Sequence, residues 1–359
     1  AFSVLPGDLL LVDPAPVENV TPEGRVQPLA HGQHLLLSVR PDAPHRLLLT
    51  GHMDTVFPAD HPFQTQRWLE PGVLNGPGVA DMKGGIAVML AALAAMEACD
   101  ASDAWGYDVV INSDEEVGSA SSAALLRARA AGKIAAFTYE PALPDGTLAG
   151  ARAGSGNFSI IVTGRSAHAG RNPEEGRNAL LAAADLALRL KAASGAGFSC
   201  NPAKIDGGGP NNVVPDHAVL RVNFRPRTPA DEQAARALID GAMADVARDH
   251  DVSLHLHGGF GRPPKPMDAK AERLFGLVRQ CGADLGLPIG WRDTGGVCDG
   301  NNIAACGVPV VDTMGVRGGS IHSDAEFLLT DSLAERARLS ALALWRIARG
   351  QFQPGQERG

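Results

Sequence analysis

Residues 107–118, which read Y-D-V-V-I-N-S-D-E-E-V-G, constrain the fold of this chain more than any other stretch. The apolar run at 109–111 predicts a strand that is buried on both faces. Three consecutive acids at 114–116 follow that strand directly. Crowded carboxylates repel one another and are costly to remove from water. The stretch therefore predicts either a solvated acidic turn or a carboxylate cluster that holds a cation or water.

Length and composition describe an ordinary globular protein. The chain has 359 residues, which is long for one small core and predicts two domains. Hydrophobic residues make up 45% and charged residues 20%, as in soluble proteins. The net charge of −8 disfavours nucleic acid and anionic membrane surfaces as partners. Because no uninterrupted apolar run reaches the roughly 18 to 20 residues that cross a bilayer, we expect no membrane partner.

The cysteines predict neither a disulfide framework nor a thiolate zinc site, because they are scattered and no C-x-x-C motif occurs. We expect a cytoplasmic protein. A periplasmic location stays open, because the chain starts at Ala1 without Met and its N-terminus is compatible with processing. The five cysteines are Cys99, Cys200, Cys281, Cys298 and Cys306.

Apolar runs alternate with helix-forming segments in the first part of the chain. This alternation is typical of an α/β domain, and we expect a mixed, mostly parallel sheet flanked by helices, with functional residues in loops at strand ends. The residues before 34 show little periodicity. The predicted strands are 34–40, 46–51, the apolar run 109–111 and 134–140, and the predicted helices are 86–99 and 119–131.

The pattern changes near residue 154, where strands begin to alternate polar with apolar residues. Such strands have one exposed face, so we predict a small α+β domain inserted at 154–262. The first domain would then comprise 1–153 and 263–359. In the insert, the predicted strands are 157–163, 217–224 and 251–257, and the helices are 176–193 and 229–250. In the last part, a helix at 268–285, a strand at 308–312 and a helix at 331–349 are predicted.

Residue types that ligate metals stand at predicted strand ends or glycine-rich turns in five segments. Each segment alone also fits a plain hydrogen-bonded pair, a helix cap, a surface turn or a loop histidine. Together, two histidines and several carboxylates with no cysteine suit a divalent ion such as zinc, cobalt or manganese. The segments contain His52 with Asp54, Asp81, Glu115 with Glu116, Glu140, and His322.

Seven short motifs resemble those of one family of co-catalytic zinc peptidases and deacylases. This family includes carboxypeptidase G, acetylornithine deacetylase, succinyl-diaminopimelate desuccinylase and aminoacylase. The match runs from about residue 34 to nearly the end of the chain. The motifs are G-H-M-D-T-V at 51–56, G-V-A-D-M-K-G-G at 78–85, D-E-E-V-G-S at 114–119, Y-E-P at 139–141, G-R-S-A-H-A-G at 164–170, N-V-V-P at 212–215 leading to N-F-R at 223–225, and H-S-D at 322–324.

The resemblance implies a site for two divalent metal ions, with zinc first and cobalt or manganese as alternatives. Asp81 would bridge both ions. One ion would be completed by Glu116 and His322, and the other by His52 and Glu140. The family also has a cis peptide after the bridging aspartate, which implies one here between residues 81 and 82.

The resemblance also implies different roles for the neighbouring acids. Glu115 would be the general base, and Asp54 would orient His52. In extended backbone, adjacent side chains point to opposite sides. Glu116 can therefore ligate while Glu115 faces the substrate.

For the inserted domain, the resemblance implies a ferredoxin-like fold that serves in dimerisation and as a lid. His168 would reach the active site of a partner subunit and stabilise the oxyanion. Arg225 would bind a substrate carboxylate, with help from Asn212. A working site of this kind requires at least a homodimer.

The sequence thus predicts a metal-dependent hydrolase that cleaves an amide bond next to a free carboxylate, similar to carboxypeptidase G. The alternatives are an acetylornithine- or succinyl-diaminopimelate-type deacylase, and a non-catalytic family member acting as a binding module. The family's N-terminal helix is not evident before residue 34. In the segment 296–306, Cys298 and Asn301 stand where smaller residues are expected from the family. No role is assigned to Lys265 and Arg317.

Overall fold

The chain folds into two compact units in a computed structural model that describes residues 2–99 and 105–355. The first unit holds the described residues of 1–15, 31–152 and 265–359, and the second holds 16–30 and 153–264. Residues 16–30, which the sequence analysis places in the first domain, lie in the second unit. There the Arg221 guanidinium donates a hydrogen bond to the Val20 carbonyl at 2.8 Å.

The strands and helices are numbered in chain order. The strands are β1 Leu9–Val12, β2 Val17–Val20, β3 Val26–Leu29, β4 His34–Val39, β5 Arg46–His52, β6 Arg67–Glu70, β7 Val73–Asn75, β8 Gly106–Asn112, β9 Ala135–Thr138, β10 Leu148–Arg152, β11 Ser155–Thr163, β12 Phe198–Gly207, β13 His217–Pro226, β14 Ser253–Arg262, β15 Trp291–Thr294, β16 Val310–Val311, β17 Gly318–Gly319 and β18 Phe327–Leu329. The helices are α1 Gly85–Glu97, α2 Ala123–Ala130, α3 Ala179–Ala192, α4 Pro229–His250, α5 Ala269–Asp284, α6 Asp299–Ala304 and α7 Asp331–Ala348.

A six-stranded mixed sheet organises the first unit, in the order β1-β4-β8-β5-β9-β16. Strands β8, β5, β9 and β16 run parallel to one another, whereas β4 is antiparallel to both β8 and β1. The predicted α/β fold with a mixed, mostly parallel sheet is therefore confirmed. A separate four-stranded antiparallel sheet has the order β17-β18-β7-β6.

Both faces of the six-stranded sheet are covered by helices. Successive leucines of β5 point to opposite sides, so Leu47 and Leu49 join one buried cluster and Leu48 joins another. The first cluster includes residues of α1, α5 and α7, and the second includes residues of α2 and α6. Burying each leucine contributes about 1.5–3 kcal/mol, which fixes the carboxyl ends of the central strands in place.

Helix α1 belongs to this core. By length and composition alone, the stretch Val79–Glu97 could cross a membrane, and it is the one such stretch among the described residues. Its residues Met89 and Leu93 are fully buried in the core of the first unit. Its apolar composition is therefore explained by packing against the sheet.

The second unit is an antiparallel sheet, β12-β13-β11-β14, with two helices. The chain order β11-α3-β12-β13-α4-β14 is the ferredoxin-like arrangement. Residues Ile160, Leu186, Leu220 and Ile239 meet in its core. The hairpin β2–β3 belongs to the same unit.

The sequence analysis misplaced several elements. It found little periodicity before residue 34 and named no strand there, yet β1 pairs with β4 and β2 pairs with β3. It began a helix at residue 119, but α2 starts at Ala123. The Asp114 carboxylate accepts hydrogen bonds from the amides of Ser121 and Ser122 at 2.7 and 3.3 Å, and Ser119 has a positive φ of 57°. These contacts hold 119–122 as turns instead of a first helical turn.

Candidate metal centre

Three neighbouring parallel strands end beside the predicted acidic and histidine residues. His52 is the last residue of β5, Glu115 and Glu116 follow β8, and Glu140 follows β9. Parallel strands end at the same edge of a sheet, where α/β proteins place their sites. The fold therefore brings these side chains together from distant parts of the sequence.

Asp81 enters the same region from a tight turn before α1. Gly78 opens this turn with a positive φ of 69°, which glycine adopts without strain. The expected cis peptide between Asp81 and Met82 is present. A side chain at Gly85 would meet the Tyr139 carbonyl at 1.9 Å, so the start of α1 lies directly against the chain that leads to Glu140.

Asp81 lies between two histidines. Its Oδ1 is 3.1 Å from Nε2 of His52, and its Oδ2 is 3.3 Å from Nε2 of His322. Oε2 of Glu140 is 3.6 Å from the same His52 nitrogen, and Oε2 of Glu116 is 3.3 Å from the same His322 nitrogen. The side chains thus form two groups that share Asp81, one with His52 and Glu140 and the other with His322 and Glu116.

Asp54 contacts His52 through both its backbone carbonyl and its carboxylate. Nδ1 of His52 is 3.1 Å from the Asp54 backbone carbonyl and 3.4 Å from its carboxylate Oδ1. Oδ2 of that carboxylate accepts a hydrogen bond from the Glu116 amide at 2.9 Å. Asp54 therefore turns Nε2 of His52 toward Asp81 and also fixes the backbone of a second acid in the cluster.

Most of the cluster is buried, although His322 is exposed, and it attracts positive charge. Hydrogen bonds to Asp81 and Glu116 raise the pKa of His322 to about 10. Burial by itself lowers the pKa of His52, but the charge of Glu140 and the contacts with Asp54 and Asp81 more than offset it, so this pKa is raised. Burial also raises the pKa of Glu140 to about 7. Carboxylates that raise the pKa of neighbouring histidines in this way stabilise positive charge and therefore form a favourable site for a cation.

The donor atoms fit a divalent metal ion. Glu115 joins His52 and Glu140 in a group whose ligand atoms lie within 4.8 Å of one another, and His52, Asp81 and Glu116 form another such group. Oε1 of Glu140 is buried and accepts no hydrogen bond from any residue that the structure describes. Imidazole nitrogen and carboxylate oxygen without sulfur suit zinc, cobalt or manganese.

The loop that carries Glu115 and Glu116 is fixed at both ends by Asp299. The side-chain amide of Asn112 donates a hydrogen bond to Asp299 Oδ2 at 2.7 Å, and the Ser119 hydroxyl donates one to Asp299 Oδ1 at 2.5 Å. Sequence reasoning missed Asp299, which is nearly 190 positions from Asn112 along the chain. It lies beside Asn301, whose side chain accepts a hydrogen bond from the Cys298 amide at 3.1 Å.

A second buried cluster accounts for Lys265, which had no assigned role, and lies near Cys298. Asp312 accepts hydrogen bonds from Arg152 at 2.7 and 3.2 Å, and its Oδ2 is 3.1 Å from Nζ of Lys265. Burial raises the pKa of the nearby Cys298 thiol well above its usual range, so this cysteine stays protonated. Arg317 instead bonds to Asp331 and to other residues at the start of α7.

The three predicted substrate residues lie in the second unit. His168 pairs with Val213, and the Ala169 amide donates to the Asn212 carbonyl at 3.0 Å, so the His168 and Asn212 loops are adjacent. Arg225 lies on β13 and donates from Nε to Asn223 at 2.8 Å. Burial and the charge of Arg262 lower the pKa of Arg225, which indicates two guanidinium groups in one partly buried region.

Comparison with known proteins places this architecture in one class of hydrolases. The profile of Peptidase family M20/M25/M40 matches residues 48–346. The chain belongs to this family, which is metal-dependent, and the expectation from the motifs is confirmed.

Individual relatives include both peptidases and deacylases. The chain is 30% identical to carboxypeptidase G2 of Pseudomonas sp. (strain RS-16) over 339 residues, covering 90% of this chain and 79% of that protein. It is also 30% identical to succinyl-diaminopimelate desuccinylase of Xanthomonas oryzae pv. oryzae, covering 77% of each. Its fold is similar to that of a tripeptidase from Staphylococcus aureus, with a TM-score of 0.72, 24% identity and coverage of 89% and 85% of the two chains. The protein is a hydrolase of the metallopeptidase and deacylase class.

Proposed function

We propose that this hydrolase cleaves an amide bond adjacent to a free carboxylate, in a C-terminal peptide or an N-acyl amino acid. The observation that carries the proposal is Asp81, whose two oxygens face His52 and His322 at 3.1 and 3.3 Å. A carboxylate placed between two separate histidine–acid groups is the arrangement that a pair of ions requires. We propose two ions, with zinc as the first choice.

Five side chains would hold the ions. His52 and Glu140 would bind one ion, His322 and Glu116 would bind the other, and Asp81 would bind both. Bound divalent ions supply Lewis-acid polarisation of the scissile carbonyl and activate water at neutral pH.

Glu115 is proposed as the general base. Its carboxylate is nearly buried and belongs to the group formed with His52 and Glu140. A carboxylate in this position takes a proton from the attacking water and delivers it to the leaving amine. The neighbouring Glu116 is held by the hydrogen bond that its backbone N–H donates to the Asp54 carboxylate and by its contact with His322.

Arg225 is proposed to bind the substrate carboxylate, with Asn212 assisting. A guanidinium fork matches a carboxylate in geometry, and the neighbouring Arg262 adds positive charge to the region. This chemistry favours substrates that end in a free carboxylate, which both the carboxypeptidase and the deacylase readings share.

We further propose a homodimer formed through the second unit, with His168 supplying oxyanion stabilisation to the partner's site. The supporting features are an edge strand, β12, and exposed leucines on α3. Leu181 is 60% exposed and Leu188 is 71% exposed. Exposed apolar side chains grouped on one helix favour a protein interface.

A substrate panel tests the proposed function. N-acyl glutamates and C-terminal glutamyl dipeptides should be hydrolysed, and their C-terminal amides should react at least about tenfold more slowly, because they lose a charged hydrogen bond. N-succinyl-diaminopimelate and N-acetylornithine in the same panel identify a deacylase. Equal rates for free acids and amides would contradict the proposed carboxylate recognition.

A further inference from the structure

Glu326 holds the turn that carries Asp81 by its backbone. Its carboxylate is buried, with only 1% of the residue exposed. Oε1 accepts hydrogen bonds from the amides of Ala80 and Asp81 at 2.9 and 3.0 Å, and Oε2 accepts one from the Gly78 amide at 3.0 Å. Three buried backbone donors therefore depend on one side chain.

The same residue belongs to the segment that carries His322. It lies four positions after this histidine and directly before β18. The side-chain amide of Asn75 holds the segment from the other side, because it donates hydrogen bonds to the backbone carbonyls of Asp324 and Glu326 at 3.0 and 2.6 Å. Strand pairing continues the connection, since Phe327 of β18 is opposite Asn75 of β7.

From these contacts we propose that Glu326 is a positioning residue that sets Asp81 against His322 and thereby prepares the metal centre before an ion binds. This inference rests on the proposed function of that centre. Asp81 and His322 come from segments about 240 positions apart in the chain, and Glu326 joins the two by hydrogen bonds. Its contact with the amide of Asp81 itself leaves little freedom for the direction of that side chain.

Both carboxylate oxygens of Glu326 are needed as hydrogen-bond acceptors. A carboxylate offers two accepting oxygens to the three amides. In Glu326→Gln, one oxygen becomes an NH2 group that faces backbone donors, and at least one buried N–H loses its acceptor. Because residues that orient metal ligands typically account for 10–100-fold in metal affinity, we expect zinc affinity to fall by about that factor.

The experiment compares Glu326→Gln with Asp108→Asn, a buried carboxylate at the opposite end of β8. Zinc affinity is measured by calorimetric titration of metal-free protein. We expect weaker zinc binding in Glu326→Gln, an unchanged KM, and recovery of kcat in excess zinc. Asp108→Asn should lower the melting temperature without changing zinc affinity. Wild-type affinity in Glu326→Gln, or equal losses in both variants, would overturn the inference.

Hydrogen exchange of the metal-free wild-type protein gives a test that needs no variant. The amides of Gly78, Ala80 and Asp81 should be protected to a degree comparable with those of β5. Rapid exchange at these three amides would contradict a role for Glu326 in preparing the site. This result is independent of hydrolysis, so it separates failure of the inference from failure of the proposed function.

Discussion

The three consecutive acids after β8 occupy three different surroundings. Asp114 is buried and bonds to Ser121 and Ser122, so it shapes the loop. Glu116 contacts His322, and Glu115 belongs to the group with His52 and Glu140. The sequence alone allowed a solvated turn, and the structure excludes it because Asp114 and Glu115 are both buried.

Replacing Glu115 by Gln should strongly reduce catalysis without emptying the metal site. The amide cannot accept a proton from water, and general bases contribute about 10²–10⁴-fold to rate. We expect kcat to fall by that factor while metal content, measured by mass spectrometry, stays the same. Glu18→Gln, at an exposed glutamate of β2, is the matched control. Full activity in Glu115→Gln would show that another group acts as the base.

Replacing Arg225 by Lys should weaken substrate binding. Lysine keeps the charge but cannot form the two parallel hydrogen bonds of a guanidinium. We expect kcat/KM to fall by about 10–100-fold for free-acid substrates and hardly at all for their amides. Arg227→Lys, two residues along, serves as the control. A uniform loss for acids and amides would mean that Arg225 acts on stability rather than on the carboxylate.

At the scale of elements, β8 carries charged networks at both ends. At its start, Asp108 accepts hydrogen bonds from Lys133, Arg46 and Ser38 at 2.7, 2.9 and 2.6 Å. Burial by itself raises the pKa of Asp108, but the bonds from Lys133 and Ser38 more than offset it and the pKa is lowered. Ion pairs between side chains therefore hold β8 at the end that is remote from the candidate metal centre.

Asp108→Asn should destabilise the fold by about 3–5 kcal/mol at neutral pH, because it leaves Lys133 buried without its partner charge. A lowered folded-state pKa means that the contribution is fully present above the unfolded value of about 3.9 and is lost as pH falls through the folded value. The free energies of unfolding of the wild-type protein and of Asp108→Asn, measured in urea, should therefore converge as the pH falls below about 4. Asp185→Asn, at a partly exposed ion pair, should cost less than about 1 kcal/mol. A pH-independent difference would contradict this assignment.

Long apolar or periodic segments could be located from the sequence, whereas short strands that depend on pairing with other strands could not. Helix α4 begins and ends where its pattern predicts, at Pro229 and His250, because a Thr228 capping box and a continuous amphipathic stretch define it. The hairpin β2–β3 and strand β1 were missed. Their residues are largely exposed, and their pairing partners rather than their own pattern determine their conformation.

The candidate ligands could be predicted because each lies in a short motif beside a strand end or turn. The residues that support them could not. Asp299 and Glu326 act by hydrogen bonds to groups far away in the sequence, and no local spacing records such contacts. From the sequence alone, a single buried acid cannot be distinguished from an acid on the surface, because its hydrogen-bond donors are known only from the fold.

At the scale of the whole molecule, the proposed dimer predicts complementation between two inactive variants. Glu115→Gln and His168→Ala should each be nearly inactive. If His168 acts in the partner's site, random reassembly of an equal mixture should restore about one quarter of wild-type activity, since half of the dimers gain one complete site. Activity of the mixture no greater than that of its parts would contradict a shared site, and light scattering would show whether a dimer forms at all.

Metal titration of the metal-free enzyme tests the central claim most directly. Chelated protein should have lost hydrolysis of N-acyl glutamates or C-terminal glutamyl dipeptides. Adding zinc or cobalt should restore the rate, which should level off near two ions per chain, because Asp81 joins two groups of ligands. Retained hydrolysis after complete metal removal, or full recovery at a single ion with no second binding event, would contradict the proposed two-ion centre.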